Sequence, residues 1–413
     1  MRTRLPIALA LLAAVPAFLL RLGGLALPVE LATLGFGLGV VGAAFAMLWA
    51  AEAAERDIPR ALSLTIVALL AVFPEYAVDV IFAFKAGQDP TFAPYAAANM
   101  TGSNRLLLGL GWPTVAVLAW LGSGQRLLRL DRADLLPLAF LVVATLYSFT
   151  LPLRAAIAPI DSLFLIGLFV GYAVLAARAK AEEPDLVGPA AAIGALPTAG
   201  RRLAIIGLFA FAATTIGVSA EPFAEGLVQT GQKLGIDEFL LVQWLAPLAS
   251  ETPEFLVAAL LAVRGKATAS LGLLLSAKVN QWTLLVGSLP LSYSAGAGHL
   301  APLPLDERQV GEVLLTAAQS LFGVALLARL SFGLGQAALL AMLFVGQLIL
   351  GGVLRAGLHS SDAASAELFW FAALYVALAV WQLVRVRQVI VCLVSGLTGL
   401  LASRRQRKHV QSG

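Results

Sequence analysis

The chain has 413 residues, of which 60% are hydrophobic and 13% charged, with a formal net charge of +4. A soluble domain carries about 25% charged residues, so the composition excludes an ordinary water-soluble fold and points to a chain that lives largely in lipid. A single cysteine, Cys392, excludes an internal disulfide and a thiolate metal cluster, and the histidines His299, His359 and His409 fall in expected loops or the tail, which leaves carboxylates and Lys278 as the buried proton carriers.

Apolar runs of about 20 residues, the length a helix needs to cross a bilayer, recur along the chain. They predict twelve helices, near residues 5–27, 31–53, 58–85, 93–121, 134–153, 160–178, 203–227, 236–264, 267–291, 307–329, 332–355 and 364–386. The first follows the basic start MRTR in the manner of a signal peptide, but it lacks a small-x-small cleavage site and carries Arg21, so it reads as a retained helix. With the N-terminus inside, twenty of the 28 Lys and Arg residues fall on the inner side, five outside (Lys85, Arg154, Lys233, Arg308, Arg355) and three within helices (Arg21, Arg105, Lys278). This asymmetry predicts a multi-pass protein of the cell membrane with both termini cytoplasmic.

The chain divides accordingly. Residues 1–30 hold an additional helix, 31–178 a first half, 179–202 a cytoplasmic linker rich in Ala, Gly and Pro, 203–355 a second half, and 356–387 another additional helix. Residues 388–413 combine a short apolar run with RRQRK, which predicts an interfacial helix and a basic tail at the cytoplasmic surface. Glu52, Glu55, Glu221 and Glu225 lie near helix ends and are expected at the interface, and Trp370 and Tyr375 in an aromatic belt.

Two segments place carboxylates, amides and prolines deep in apolar helices, where an ionised side chain costs at least ~2.5–3.5 kcal/mol. The first is VFPEYAVDVIFAF in the third helix with ANMTGSNRLLLGLGWP in the fourth; the second is SETPEFLVAALLAV in the eighth with LLSAKVNQWTLLVGSLP in the ninth. Pro74-Glu75 matches Pro253-Glu254 at an offset of 179 residues, and Pro113 matches Pro290 at 177. On the topology above the third helix runs outward and the eighth inward, so the repeats are inverted, an arrangement typical of secondary transporters with ion sites near the midplane. Each proline removes a backbone hydrogen bond and leaves carbonyls free to coordinate a cation. Glu75 and Glu254 then supply hard anionic oxygens. Asn99, Ser103 and Asn104 on one side, and Ser250, Ser276, Asn280 and Gln281 on the other, add neutral oxygens, and Gly102 lets backbones approach. Asp79, one turn after Glu75, either lines the pathway or partners Arg105. Glu251 is expected to take part in the site, with Lys278 as its structural partner in the alternative.

This pattern resembles the α-repeats of the sodium/calcium exchanger superfamily, in which each half carries a Gly-Thr-Ser-Leu-Pro-Glu-like break and then a Gly-Asn-x-x-Gly-Ser-Asn-like helix. The resemblance covers about residues 31–355, and Pro74-Glu75, Asn99 with Gly102-Ser103-Asn104, and Pro253-Glu254 carry it. It implies an all-α polytopic membrane protein of two inverted five-helix repeats plus one helix at each end. It also implies that Glu75 and Glu254 bind the transported cations while the outermost helices slide against a fixed core. Ala71-Val72 stand where the family has Thr-Ser, Ser250-Glu251 keep one hydroxyl and add a carboxylate, and Lys278 lies within the second amide motif.

The expected function is therefore antiport of Na+ against Ca2+, or proton-coupled exchange of Na+ or Ca2+ as the alternative. No cofactor is expected beyond these transported cations, and no nucleic acid partner beside the lipid bilayer. Lys278 is expected to pair with Glu251 or Glu254 and compete with a cation, as proton coupling requires. An intramembrane enzyme lacks support, since Gly-x-Ser-Gly, His-Glu-x-x-His and Gly-x-Gly-Asp patterns are missing. A channel would need a continuous pore, against which the inverted repeat argues.

Overall fold

The computed structural model describes residues 4–54, 56–57, 73–178, 186–357 and 365–387. Helices α1 (Arg4–Ala13) and α2 (Val15–Leu22) form one apolar rod, followed by α3 (Val29–Ala54). Helix α4 (Phe73–Gln88) leads to α5 (Ala93–Leu106), which runs through a π-helical segment (Leu107–Gly111) into α6 (Trp112–Ser123). Then come α7 (Leu135–Ser148) and α8 (Pro159–Arg178). A short α9 (Gly188–Gly194) precedes the 37-residue α10 (Thr198–Leu234) and α11 (Glu238–Val263). Helix α12 (Ala267–Asn280) passes through a second π-helical segment (Gln281–Leu285) into α13 (Val286–Ala297), and α14 (Glu307–Leu327), α15 (Leu334–Gly357) and α16 (Ser365–Arg387) complete the bundle.

A helix occupies each of the twelve predicted intervals, the third from Phe73 onward. Nine helices among the described residues are long and apolar enough to cross a bilayer, and a further one, α11, is bent by 57° between Thr252 and Glu254. Pro253 is the physical cause, because it has no N–H to give the carbonyl four residues back. Within the described part of the predicted linker, residues 186–202, lies α9, and α10 begins at Thr198, five residues early. The expected interfacial run and basic tail, residues 388–413, lie outside the described residues, as do Glu55 and Cys392.

Element lengths recur between the two halves of the chain. Helices α5 and α12 are both 14 residues long, the π segments both five, and α6 and α13 both 12. Both α6 and α13 end on a left-handed glycine, Gly124 at φ 73° and Gly298 at φ 75°, a conformation that a Cβ disfavours. This register places Pro113 second in α6 but Pro290 fifth in α13, so the two prolines matched in the sequence are nearly one turn out of structural register.

Four short strands express the same relation. Strand β1 (Leu127–Arg129) precedes α7, β2 (Ala156–Ile157) follows it, β3 (Leu303–Pro304) precedes α14 and β4 (Ser331–Gly333) follows it. They pair antiparallel as β1 with β4 and β2 with β3. The loop before one half's fourth core helix thus joins the loop after the other half's, in both pairs. Swapping the halves and inverting the molecule maps one pair onto the other, as inverted repeats require.

The core lies among α5, α11, α12 and α14. Helix α14 is 78% buried over its apolar window, whereas the α1–α2 rod is 17% buried and faces lipid. Close approach within the core depends on Gly102, where a Cβ would stand 1.8 Å from the carbonyl oxygen of Gln243 on α11. Trp370 is 75% exposed, as a membrane-facing residue should be. Tyr375 corrects the expected aromatic belt: it is 1% exposed, with its ring 5.8 Å from that of Phe322 on α14. Five residues along a helix change the face, and Tyr375 falls on the inward one.

Candidate functional site

The bend in α11 sets Glu254 half-buried at the break and Glu251 buried three residues before it. Gln281, first residue of the second π segment, donates its side-chain amide to Glu251 Oε1 at 2.8 Å. Ser250 donates its hydroxyl back to the Ala246 carbonyl at 3.2 Å, which leaves both oxygen lone pairs available as acceptors. Ser276 receives the Tyr172 hydroxyl at 3.1 Å from α8. Glu75 falls in the first turn of α4, but its side chain lies outside the described residues. Its neighbour Tyr76 donates to Asn280 Oδ1 at 2.9 Å, tying α4 of the first half to α12 of the second.

A second bond between halves involves Lys278, 1% exposed. Its ammonium donates to the main-chain oxygen of Asn104 at 2.5 Å and to Asn104 Oδ1 at 2.8 Å. Asn104 in turn donates its side-chain N–H to the Met100 carbonyl at 3.0 Å, which turns Oδ1 toward the ammonium. The Trp282 ring lies 5.6 Å away and adds a cation–π contact. The expected partner of Lys278 was Glu251 or Glu254; the bonds to Asn104 add a neutral partner that charge pairing alone does not anticipate.

Asp79, Asn99 and Ser103 are all fully buried between α4 and α5. The Asp79 carboxyl lies against the Asn99 amide, yet neither group, nor the Ser103 hydroxyl, makes a hydrogen bond of normal geometry. Each such buried polar group costs about 1–3 kcal/mol. No three His, Cys, Asp or Glu side chains converge among the described residues. A cation held here would therefore draw on amide, hydroxyl and main-chain oxygens as well as carboxylates, the ligands of a hard ion.

Arg105 does not serve Asp79. It forms an ion pair with Glu312 of α14 at 2.6 Å, both side chains being almost wholly buried, and it donates to Gln347 of α15. Gln243 of α11 adds a bond to Glu312 at 2.9 Å and reaches Thr101 at 3.3 Å, while the Arg105 guanidinium lies 5.2 Å from the Trp244 ring. This cluster locks α5, α11, α14 and α15 together beside the site. Glu312, Gln243 and Gln347 escaped the sequence reading. Their signal was present: a buried guanidinium demands a counter-charge, and each of these polar residues interrupts an apolar helix.

Of the predicted residues, Asn104 and Lys278 meet, Glu251 and Gln281 meet, and Asp79 and Asn99 adjoin. Ser103 shares the face of Asn99 one turn on. These groups lie on α4, α5, α11, α12 and the first residue of the second π segment, a type of helix defect frequent at functional sites.

No curated protein matches the sequence. Among solved structures, the fold is similar to the H+/Ca2+ exchanger CAX, with a TM-score of 0.88 and 43% identity, covering 97% of this chain and 99% of that one. It is also similar to YfkE, with a TM-score of 0.57 and 16% identity over 84% of this chain and 98% of that one. A form of the sodium-calcium exchanger NCX_Mj aligns at a TM-score of 0.50 and 16% identity over 78% and 98% of the two chains. The two more distant structures speak to fold alone. The family model described as sodium/calcium exchanger protein matches residues 30–178 and 204–353, most of the chain. Sequence family and backbone agree, and this polytopic membrane protein belongs to the sodium/calcium exchanger family.

Proposed function

We propose that the chain is a secondary active antiporter that moves Ca2+ across the cell membrane against protons, by alternating access around Glu75 and Glu254, with both termini in the cytoplasm. The observation that carries this reading is 43% identity over 97% of the chain to CAX, a protein described as an H+/Ca2+ exchanger. The site's composition supports it. Ala71 and Val72 leave the first half without the hydroxyls of the sodium/calcium pattern, while Glu251 adds a carboxylate to the second. A site richer in carboxylates and poorer in hydroxyls suits an exchange of two protons for one divalent ion.

In this account Glu75 and Glu254 hold Ca2+ with hard oxygens, and the oxygens of Ser250, Asn99 and Ser103 and the carbonyl freed by Pro253 complete its shell. Asp79, Glu251, Asn104, Asn280 and Gln281 line the same region. When Ca2+ leaves, the glutamates take protons, and the protonated pair is neutral enough to be carried back through the low-dielectric core. No covalent step is involved, and no cofactor is needed beside the transported cations.

Sodium as the driving ion is the second reading. It is favoured by the Pro-Glu and Gly-Ser-Asn motifs and by the description of the family. The test is radiocalcium uptake into proteoliposomes under an imposed pH gradient or an imposed sodium gradient. Uptake driven by pH and indifferent to sodium supports proton coupling; uptake driven only by sodium overturns it in favour of the second reading.

A further inference from the structure

We propose that the Lys278 ammonium is a tethered monovalent cation: held by the main-chain and side-chain oxygens of Asn104, it fills a position that a free sodium or potassium ion would otherwise have to occupy. This inference rests on the cation-antiporter reading and specifies which ions the site still has room to take.

The geometry is that of a cation on oxygen ligands. A carbonyl oxygen at 2.5 Å and an amide oxygen at 2.8 Å approach Nζ from one residue, and the Trp282 ring lies 5.6 Å away. An ammonium and a small monovalent ion share charge and prefer the same neutral oxygens. The position also matches: Asn104 lies three residues before the first π segment and Lys278 three residues before the second, equivalent places in the two halves beside a type of helix defect frequent at functional sites.

The remainder of the environment is consistent with a fixed charge. Asn104 is oriented by its own bond to the Met100 carbonyl, so its Oδ1 is set toward the ammonium in advance. Glu251, 1% exposed, stands on the neighbouring bend, and a buried carboxylate beside the Glu75–Glu254 pair needs positive charge nearby. A covalent tether supplies that charge at a high effective concentration, so no dissolved monovalent ion can compete for the position. The consequence is specificity: one would-be monovalent site is closed, and transport needs no sodium or potassium at that place.

The test removes the tether and offers free cations. Lys278→Ala opens the position and Lys278→Met fills it with an uncharged chain of similar length. Purified full-length proteins are melted in detergent with choline, sodium, potassium or methylammonium chloride, and then assayed for pH-driven radiocalcium uptake in the same salts. The expected result is that Lys278→Ala melts lower than wild type in choline, regains stability saturably with methylammonium or a metal cation, and regains uptake only in those salts. Wild type and Lys278→Met should show no such dependence.

A folded Lys278→Ala protein that melts and transports identically in all four salts overturns the proposal. So does a protein that fails to fold in choline and cannot be recovered by purification in sodium, potassium or methylammonium. If wild type takes up no calcium, the proposed transport reaction fails, but the melting shifts still decide the role of Lys278.

Discussion

Gly102→Ala tests whether the contact between α5 and α11 is as close as the structure requires. The added Cβ would stand 1.8 Å from the Gln243 carbonyl oxygen and 2.8 Å from its carbon, whereas ordinary contact begins at 3.4 Å. The helices must therefore part by about 1.5 Å, since both colliding groups belong to helical backbones. Overpacking of this kind costs about 1–3 kcal/mol, and the stretched bonds from Gln243 to Glu312 and Thr101 add to it, while replacing glycine in a helix returns about 1 kcal/mol. A net loss of about 2 kcal/mol follows. Gly167→Ala on α8 is the control, because nothing lies within 4 Å of its would-be Cβ, and it should gain up to about 1 kcal/mol. Unfolding by SDS titration in mixed micelles reads both, with calcium uptake as the functional assay. If Gly102→Ala proves as stable as Gly167→Ala, the two helices are not in contact at Gly102 and the packing described here is wrong.

Other predictions concern polar contacts. Glu312→Leu alone should destabilise the protein by about 3–5 kcal/mol by leaving Arg105 buried without its partner, and adding Arg105→Met should recover most of that loss in the same titration. Gln281→Leu removes the amide that donates to Glu251 Oε1 and should both weaken calcium activation of uptake and destabilise the protein by about 1–3 kcal/mol in the same titration. The Arg201 guanidinium, helped by Arg202, holds the Asp57 carboxyl below its usual value of 3.8. A carboxyl lowered in the folded state gives stability that is present above its ordinary pKa and lost as pH falls through the folded value. Melting curves from neutral to acid pH should show this loss below about pH 4 in wild type and a smaller one in Asp57→Asn.

The helices were legible because lipid demands long apolar runs, and the bend in α11 was legible because Pro253 forces it. The site was legible as a set of residue types but not as a set of contacts. Asn104 and Lys278 are 174 residues apart and Tyr76 and Asn280 are 204 apart, so no local spacing reveals that they meet. Arg105 announced a need for charge, but the nearby Asp79 was no better a candidate in sequence than Glu312, which lies 207 residues on. The π segments depend on tertiary packing: a Cβ at Gly109 would come within 2.3 Å of the Phe344 ring, a proximity that no periodicity encodes. Tyr375 was misplaced because residue type suggests a belt, whereas position on the helix decides which face is buried.

The most direct test of the account is to follow calcium entry and proton exit together, in proteoliposomes carrying a lumenal pH dye, for wild type, Glu75→Gln and Glu254→Gln. Coupled fluxes in wild type, at a fixed ratio and without sodium, that disappear in both variants are the predicted result. Calcium entry that moves no protons, or that survives either substitution, would contradict the assignment of proton-coupled transport to these two glutamates.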